Sequence, residues 1–250
     1  MDYTFGVAPD PYTPKRELVG GWSTLYQSND GSLFDADPVS ENEFGFAFDP
    51  TNSNVLYTAT QVNGVYKSTD GGETWTASNG SLTPWATANG NFIDVRSIFV
   101  DPSNPQSLYI GTNGDGVYKS TDGAASWTSV LAPTEAIGCL LVVPGSPSAV
   151  YACVNGSGIQ RSSDGGATWT DASQGLPSLD ANGLAVDGAT GDLYATVGPG
   201  AYVKRGTQAW VGIDPACMPG HAAGSPAIVA NANARQLVVA AAGGVYAHAL

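Results

Sequence analysis

The sequence predicts an all-β protein, a five-bladed β-propeller built of four-stranded antiparallel blades. Three observations carry that expectation. The first is an internal repeat: "FAFDPTNSNVLYTATQVNGVYKSTDGGETW" at 46–75 aligns without a gap with 98–127 and with 140–169. The second is punctuation, because apolar runs of four to six residues alternate with Asp-Pro, Asn-Gly and Asp-Gly turns. The third is the period. Trp75, Trp127, Trp169 and Trp210 follow one another at 52, 42 and 41 positions, the length of one four-stranded blade.

Each unit opens with an apolar strand ending in Asp-Pro or Val-Pro and continues with an "LY" strand. A "GVYKS"-type strand and an Asp-Gly loop follow, and a short strand opened by Trp closes the unit. Blades are expected to start near residues 44, 96, 138, 182 and 226. The last copy lacks a fourth strand, whereas "GGWSTLYQS" offers a lone Trp-led strand 53 positions before Trp75. Residues 21–27 are therefore expected to complete the C-terminal blade and close a single domain over 21–250. Residues 1–20, rich in Pro and without periodicity, are expected to form an arm.

Composition limits the function. The 250 residues carry 9 Lys and Arg against 22 Asp and Glu, a net charge of −13. Such a surface repels phosphate backbones and anionic membranes, so neither nucleic acid nor membrane insertion is expected. Only 12% of the chain is charged, and a Ser/Thr/Asn/Gly surface favours an extracellular or virion-surface setting, although no signal peptide is visible. The three cysteines, Cys139, Cys153 and Cys217, lack the short spacing of a zinc site. Cys139 and Cys153 fall on neighbouring strands and are expected as two small buried thiols.

The repeated stretch Ser68, Asp70, Gly72, Thr74, Trp75 resembles the Asp-box, or bacterial neuraminidase repeat. A second copy comprises Ser120, Asp122 and Trp127, with Ala124 and Ser126 at the Gly and Thr positions. The third, Ser162, Asp164, Gly166, Thr168 and Trp169, is complete. The resemblance implies a propeller of the sialidase, xyloglucanase and sortilin-like type. It places the boxes in outer hairpin loops, opposite the face that meets ligands. Physically the Asp accepts hydrogen bonds from nearby N–H and hydroxyl groups, and the Trp packs between strands of its own or the next blade. The boxes are thus expected to be structural.

The other face offers Asn63, Asn113, Asp115 and Asn155 in short hairpin loops. The long loops 28–43 and 77–95 add Glu41, Glu43, Trp85, Phe92 and Asp94, and Arg96 follows at a strand start. Aromatic faces beside amides and a carboxylate suit a sugar. A sialidase triad cannot be assembled from Arg16, Arg96, Arg161, Arg205 and Arg235. No run of residues has metal-ligand spacing, and neither metal nor cofactor is expected. The leading expectation is a non-catalytic binding or assembly module for glycan or protein, as a homo-oligomer or a component of a larger assembly such as a phage virion. The alternative is a glycoside hydrolase using Glu41 or Glu43 with Asp94 as its carboxylate pair.

Overall fold

The computed structural model describes residues 4–9, 17–21, 25–28, 33–35, 43–82, 93–132, 135–145, 148–213, 226–230, 235–241 and 244–249. Every regular element among them is a β-strand, and all pairing is between consecutive antiparallel strands. Among the described residues five sheets have four strands and one has three, six sheets where five blades were expected. The chain divides into two compact units, one of residues 1–136 with 144–148, the other of 137–143 with 149–250.

The first unit holds three sheets. Its first sheet orders β1 (Thr4–Pro9), β2 (Glu17–Gly21), β3 (Leu25–Ser28) and β4 (Leu33–Asp35). This corrects two expectations. The segment 1–20 is not an arm, since it supplies β1 and β2. Nor is 21–27 a closing strand of the C-terminal sheet: β3 is paired on both sides, with Gly20 opposite Leu25 and Tyr26 opposite Asp35. The sequence contained the signal, because "LYQSNDG" at 25–31 matches "VYKSTDG" at 65–71 position for position in type. A degenerate copy without Trp at its end escaped a search anchored on Trp.

The second sheet runs β5 (Glu43–Asp49), β6 (Asn52–Thr60), β7 (Gly64–Ser68) and β8 (Thr76–Ala77). The third runs β9 (Val95–Asp101), β10 (Asn104–Thr112), β11 (Val117–Ser120) and β12 (Thr128–Leu131). The C-terminal halves of β6 and β10 are buried without alternation, as strands covered on both faces are. β5 lies beside β9. Gly45 permits the approach, since a Cβ there would stand 3.4 Å from the backbone of Ser97 and Ile98.

The second unit repeats the plan. Its sheets are β13 (Ile137–Val143), β14 (Ala149–Val154), β15 (Gly158–Ser162) and β16 (Thr170–Asp171), then β17 (Ala181–Val186), β18 (Leu193–Val197), β19 (Gly200–Lys204) and β20 (Val211–Gly212). The last sheet, β21 (Pro226–Ala230), β22 (Arg235–Ala241) and β23 (Gly244–Ala249), has three strands. Cys139 and Cys153 face each other in register on β13 and β14 and form a disulfide with Cα atoms 4.9 Å apart. The expected pair of free thiols is thereby corrected; directly opposed positions bring two Cβ atoms within bridging distance.

The repeated loops have one hydrogen-bond plan. The Ser68 hydroxyl donates to Asp70 Oδ1 at 2.8 Å and accepts from the Gly72 N–H at 2.8 Å. The Thr74 N–H and hydroxyl donate to the two Asp70 oxygens at 3.0 and 2.5 Å. Ser120, Asp122 and Ser126 reproduce this, as do Ser162, Asp164 and Thr168. These contacts, the threonine or serine hydroxyl first, hold each of the three carboxyls at about 2, below the ordinary 3.8.

The tryptophans divide into two kinds. Trp75 and Trp169 donate their indole N–H to their own loops, to Gly72 and Gly166 carbonyls at 3.2 and 3.1 Å. Trp127 and Trp210 are buried and reach back to the preceding sheet, donating to the carbonyls of Ser78 and Ala172 at 2.9 and 2.8 Å. The expectation of packing within a blade or onto the next is thus corrected for these two.

Candidate functional site

Among the sequence-selected residues, the structure gathers Asp94, Arg96 and Asn113 into one cluster in the first unit. Asp94 immediately precedes β9, and Asn113 follows β10 in the hairpin loop to β11. The Asn113 N–H donates to the Asp94 carbonyl at 2.9 Å, which fixes the loop against the strand start. The Asn113 side-chain amide then donates to Asp94 Oδ2 at 3.0 Å, and an Arg96 guanidinium nitrogen donates to the same oxygen at 2.6 Å. Asn113 also bridges to Ala136, so the loop is held on two sides.

The cluster is asymmetric in a chemically useful way. The Asp94 side chain is 7% exposed and that of Arg96 is 35% exposed. Two donors converge on Oδ2, whereas Oδ1 is buried and accepts no hydrogen bond among the described residues. Buried polar atoms are nearly always satisfied, so an orphaned carboxylate oxygen marks a place where a donor is missing. A hydroxyl of a bound ligand, donating to Oδ1, would meet that need.

The remaining selected residues fall differently. Asp115 belongs to the same hairpin loop, but its N–H donates to the Thr112 hydroxyl at 3.0 Å, and Thr112 in turn donates to the Gly116 carbonyl. Its nearness adds to the main effect, burial, in raising the Tyr118 hydroxyl. Asn63 occupies the matching turn of the second sheet: its N–H donates to Thr60, and its carbonyl accepts from Asn79 at 2.8 Å. Asn155, in the second unit, lies over Gly138, where any Cβ would meet its Oδ1 at 2.9 Å. Glu43 heads β5, whose neighbour β9 begins just after Asp94. Glu41, Trp85 and Phe92 lie outside the described residues, as does the side chain of Glu43.

Sequence reasoning missed Asn79 and Ser173. Asn79 Oδ1 accepts from the Val65 N–H at 2.7 Å, and Ser173 Oγ accepts from the Ile159 N–H at 2.9 Å. Both seal the start of a third strand at its outer edge, the edge that β8 and β16 are too short to cover. No sequence signal distinguished them from other loop polar residues. Among the described residues no group of acidic, His or Cys side chains could hold a metal ion.

No family model matches the chain. It is 33% identical over 146 residues, 51% of its length, to a Neosartorya fischeri protein named "Probable oligoxyloglucan-reducing end-specific xyloglucanase". It is 30% identical over 146 residues to the oligoxyloglucan-reducing end-specific xyloglucanase of Emericella nidulans, and 30% identical over 125 residues to a Paenibacillus xyloglucanase. The chain spans only 17%, 18% and 12% of these three relatives. Among solved structures, the GH74 enzyme of Niastella koreensis matches 98% of this chain and 44% of its own at a TM-score of 0.76 and 18% identity. YCF48 from Cyanidioschyzon merolae matches 98% of this chain and 81% of its own at 0.70 and 13%.

These likenesses define the class of protein as an all-β propeller fold of four-stranded antiparallel blades. The particular relatives in sequence are xyloglucanases. That finding overturns the expectation of a non-catalytic binding or assembly module, and the glycoside hydrolase alternative is the better supported.

Proposed function

We propose that the chain is part of a glycoside hydrolase of the Asp-box propeller type, acting on xyloglucan or a similar β-glucan, with Asp94 as one of its working carboxylates. The observation that carries the proposal is the buried Asp94 carboxylate with one oxygen clamped by Arg96 and Asn113 and the other without a donor. Glycosidases place two carboxyl groups about the scissile bond, one to protonate the leaving oxygen and one to activate water or attack. Glu43, which begins the strand beside β9, is the natural candidate for the second. The likeness to three xyloglucanases supports the sugar class. The disulfide suits an oxidising, exported setting.

The test is release of reducing ends from xyloglucan by the wild-type chain, D94N and E43Q. Loss of either carboxylate is expected to lower kcat on the order of 10²–10⁴-fold, the usual weight of acid–base catalysis. Equal activity in D94N and wild type would remove Asp94 from the chemistry. Absence of both hydrolysis and xyloglucan-oligosaccharide binding in the wild type would overturn the proposal.

A further inference from the structure

The chain contains six Asn-Gly pairs, at 63–64, 79–80, 89–90, 113–114, 155–156 and 182–183. Asparagine is chemically labile, and most so before glycine, whose missing Cβ lets its backbone nitrogen reach the asparagine carboxamide. That nitrogen bonds to the side-chain carbon as ammonia leaves, closing a five-membered imide. Water then opens the ring to aspartate or isoaspartate. The reaction consumes one water, releases one ammonia and needs no enzyme. It does need a carboxamide that is free to turn and a glycine N–H that is not held in a ladder.

The structure ranks the pairs; 89–90 lies outside the described residues. Asn79 is held at both ends, its Oδ1 accepting from the Val65 N–H at 2.7 Å and its amide donating to the Asn63 carbonyl at 2.8 Å. Gly64 and Gly183 stand in ladders opposite Thr60 and Thr196. The remaining pairs occupy equivalent hairpin turns of the repeat, 42 positions apart, and both asparagines are exposed. Exposure alone would make them equal. The Asn113 amide, however, donates to Asp94 Oδ2 at 3.0 Å, and its N–H donates to the Asp94 carbonyl at 2.9 Å.

The position 42 after Asp94 is Ala136, which offers no carboxylate. The Asn155 amide has no hydrogen-bond partner among the described residues. Its turn is closed by the Ser157 N–H, which donates to the Val154 carbonyl at 2.9 Å and leaves Asn155 and Gly156 at the centre. That bond does not engage the Gly156 N–H. Gly156 has φ +71°, and open space lies where a Cβ would stand.

We propose that Asn155 is a site of spontaneous deamidation, and that the Asp94 carboxylate shields the equivalent Asn113 from the same reaction. At Asn113 the product would set a second carboxylate against Asp94 in place of a donor and undo the clamp. The clamp therefore protects its own donor. This inference does not depend on the hydrolase reading.

The test is incubation of the intact chain at mildly alkaline pH, followed by digestion and mass analysis of the peptides that hold residues 113 and 155. Asn155 is expected to convert first. Asn113 is expected to convert at least about tenfold more slowly, the weight of one hydrogen bond to a charged group. In urea with a reductant the two rates are expected to converge, and D94A is expected to bring Asn113 toward the rate of Asn155. An intact Asn155, equal rates in the folded chain, or a gap that persists in urea would overturn the proposal. So would a folded D94A chain in which Asn113 stays slow. Because the comparison of the two peptides needs no variant, the test stands even if D94A misfolds.

Discussion

Trp127 and Ser78 are tied by reciprocal bonds across two sheets of the first unit. The indole N–H donates to the Ser78 carbonyl at 2.9 Å, and the Ser78 hydroxyl donates to the carbonyl of Ala124, three residues before the tryptophan, at 2.8 Å. Ser81 completes the clasp, accepting from the Trp127 N–H and donating to its carbonyl. Gly80 is required here, because its φ is +44° and a Cβ would overlap the Ala125 carbonyl. In the first loop the position of the Ala124 carbonyl is held by Gly72, whose oxygen takes the indole of its own Trp75. In the second loop that oxygen is engaged by Ser78, and the indole turns to the neighbouring sheet.

W127F keeps the ring and deletes the donor, leaving the Ser78 carbonyl short of a partner. It is expected to cost about 1–3 kcal/mol. W127A also opens a cavity in the core of the first unit and is expected to cost about 3–5 kcal/mol. The corresponding changes at Trp75, half-buried and bonded within its own loop, are expected to cost less. Urea denaturation of the four variants checks the order.

Ala124 has φ +73°, the only non-glycine residue in that region among the described residues; the matching glycines, Gly72 and Gly166, stand at +92° and +97°. G166A is therefore expected to destabilise by about 1–2 kcal/mol, the left-handed penalty of an L-residue. A124G relieves the same penalty but removes a buried methyl worth about 0.8 kcal/mol. It is expected to be neutral or mildly stabilising. Opposite signs, or a near-zero value against a clear loss, would be read from denaturation midpoints.

How far the sequence revealed these features depended on how local each one is. The Asp loops are local: Ser, Asp and Thr within seven positions satisfy one another, so the motif and its structural role were visible in the string. The strand order followed from turn residues at fixed offsets. The direction of each tryptophan was not visible, because it depends on Ser78, 49 positions upstream of Trp127, or Ala172, 38 positions upstream of Trp210. The first sheet was missed because its copy of the loop lacks the Trp. For Asp94, sequence offered a carboxylate among several loop acids. Its clamp needs Asn113, nineteen positions later, and a hairpin whose placement only pairing reveals.

The three loop carboxyls make stability depend on acid. Asp70, Asp122 and Asp164 are held at about 2 against an ordinary 3.8. A depressed folded value means that the unfolded chain binds protons first as pH falls. The stabilisation is thus complete above about pH 4 and is lost between about pH 4 and 2. The melting temperature is expected to fall through that window. The triple variant D70N/D122N/D164N should show a lower melting temperature at pH 7 and a flatter slope below pH 4. An unchanged slope would assign the acid response to other groups.

The Cys139–Cys153 bridge closes a short loop, with a sequence separation of 14. Loop closure of that size in the unfolded chain is worth about 3 kcal/mol. Reduction, or the C139A/C153A pair, is expected to lower unfolding free energy by about that amount while leaving the sheet intact, since β13 and β14 remain paired along their length. Calorimetry with and without a phosphine reductant measures it.

Arg96 and Asp94 provide the sharpest test of coupling at the candidate site. Removing the guanidinium leaves a carboxylate that is 7% exposed with one amide donor, the costly half of a broken ion pair. A fully buried pair broken in this way loses about 3–5 kcal/mol. Because Arg96 is 35% exposed, R96A is expected at or below the lower end of that range. D94N/R96A removes both charges, and the neutral amide no longer needs the missing cation. The double variant is therefore expected to be more stable than R96A alone, the signature of direct coupling in a double-mutant cycle. Additive losses would mean that Arg96 acts through its packing against the strand rather than through the Asp94 carboxylate.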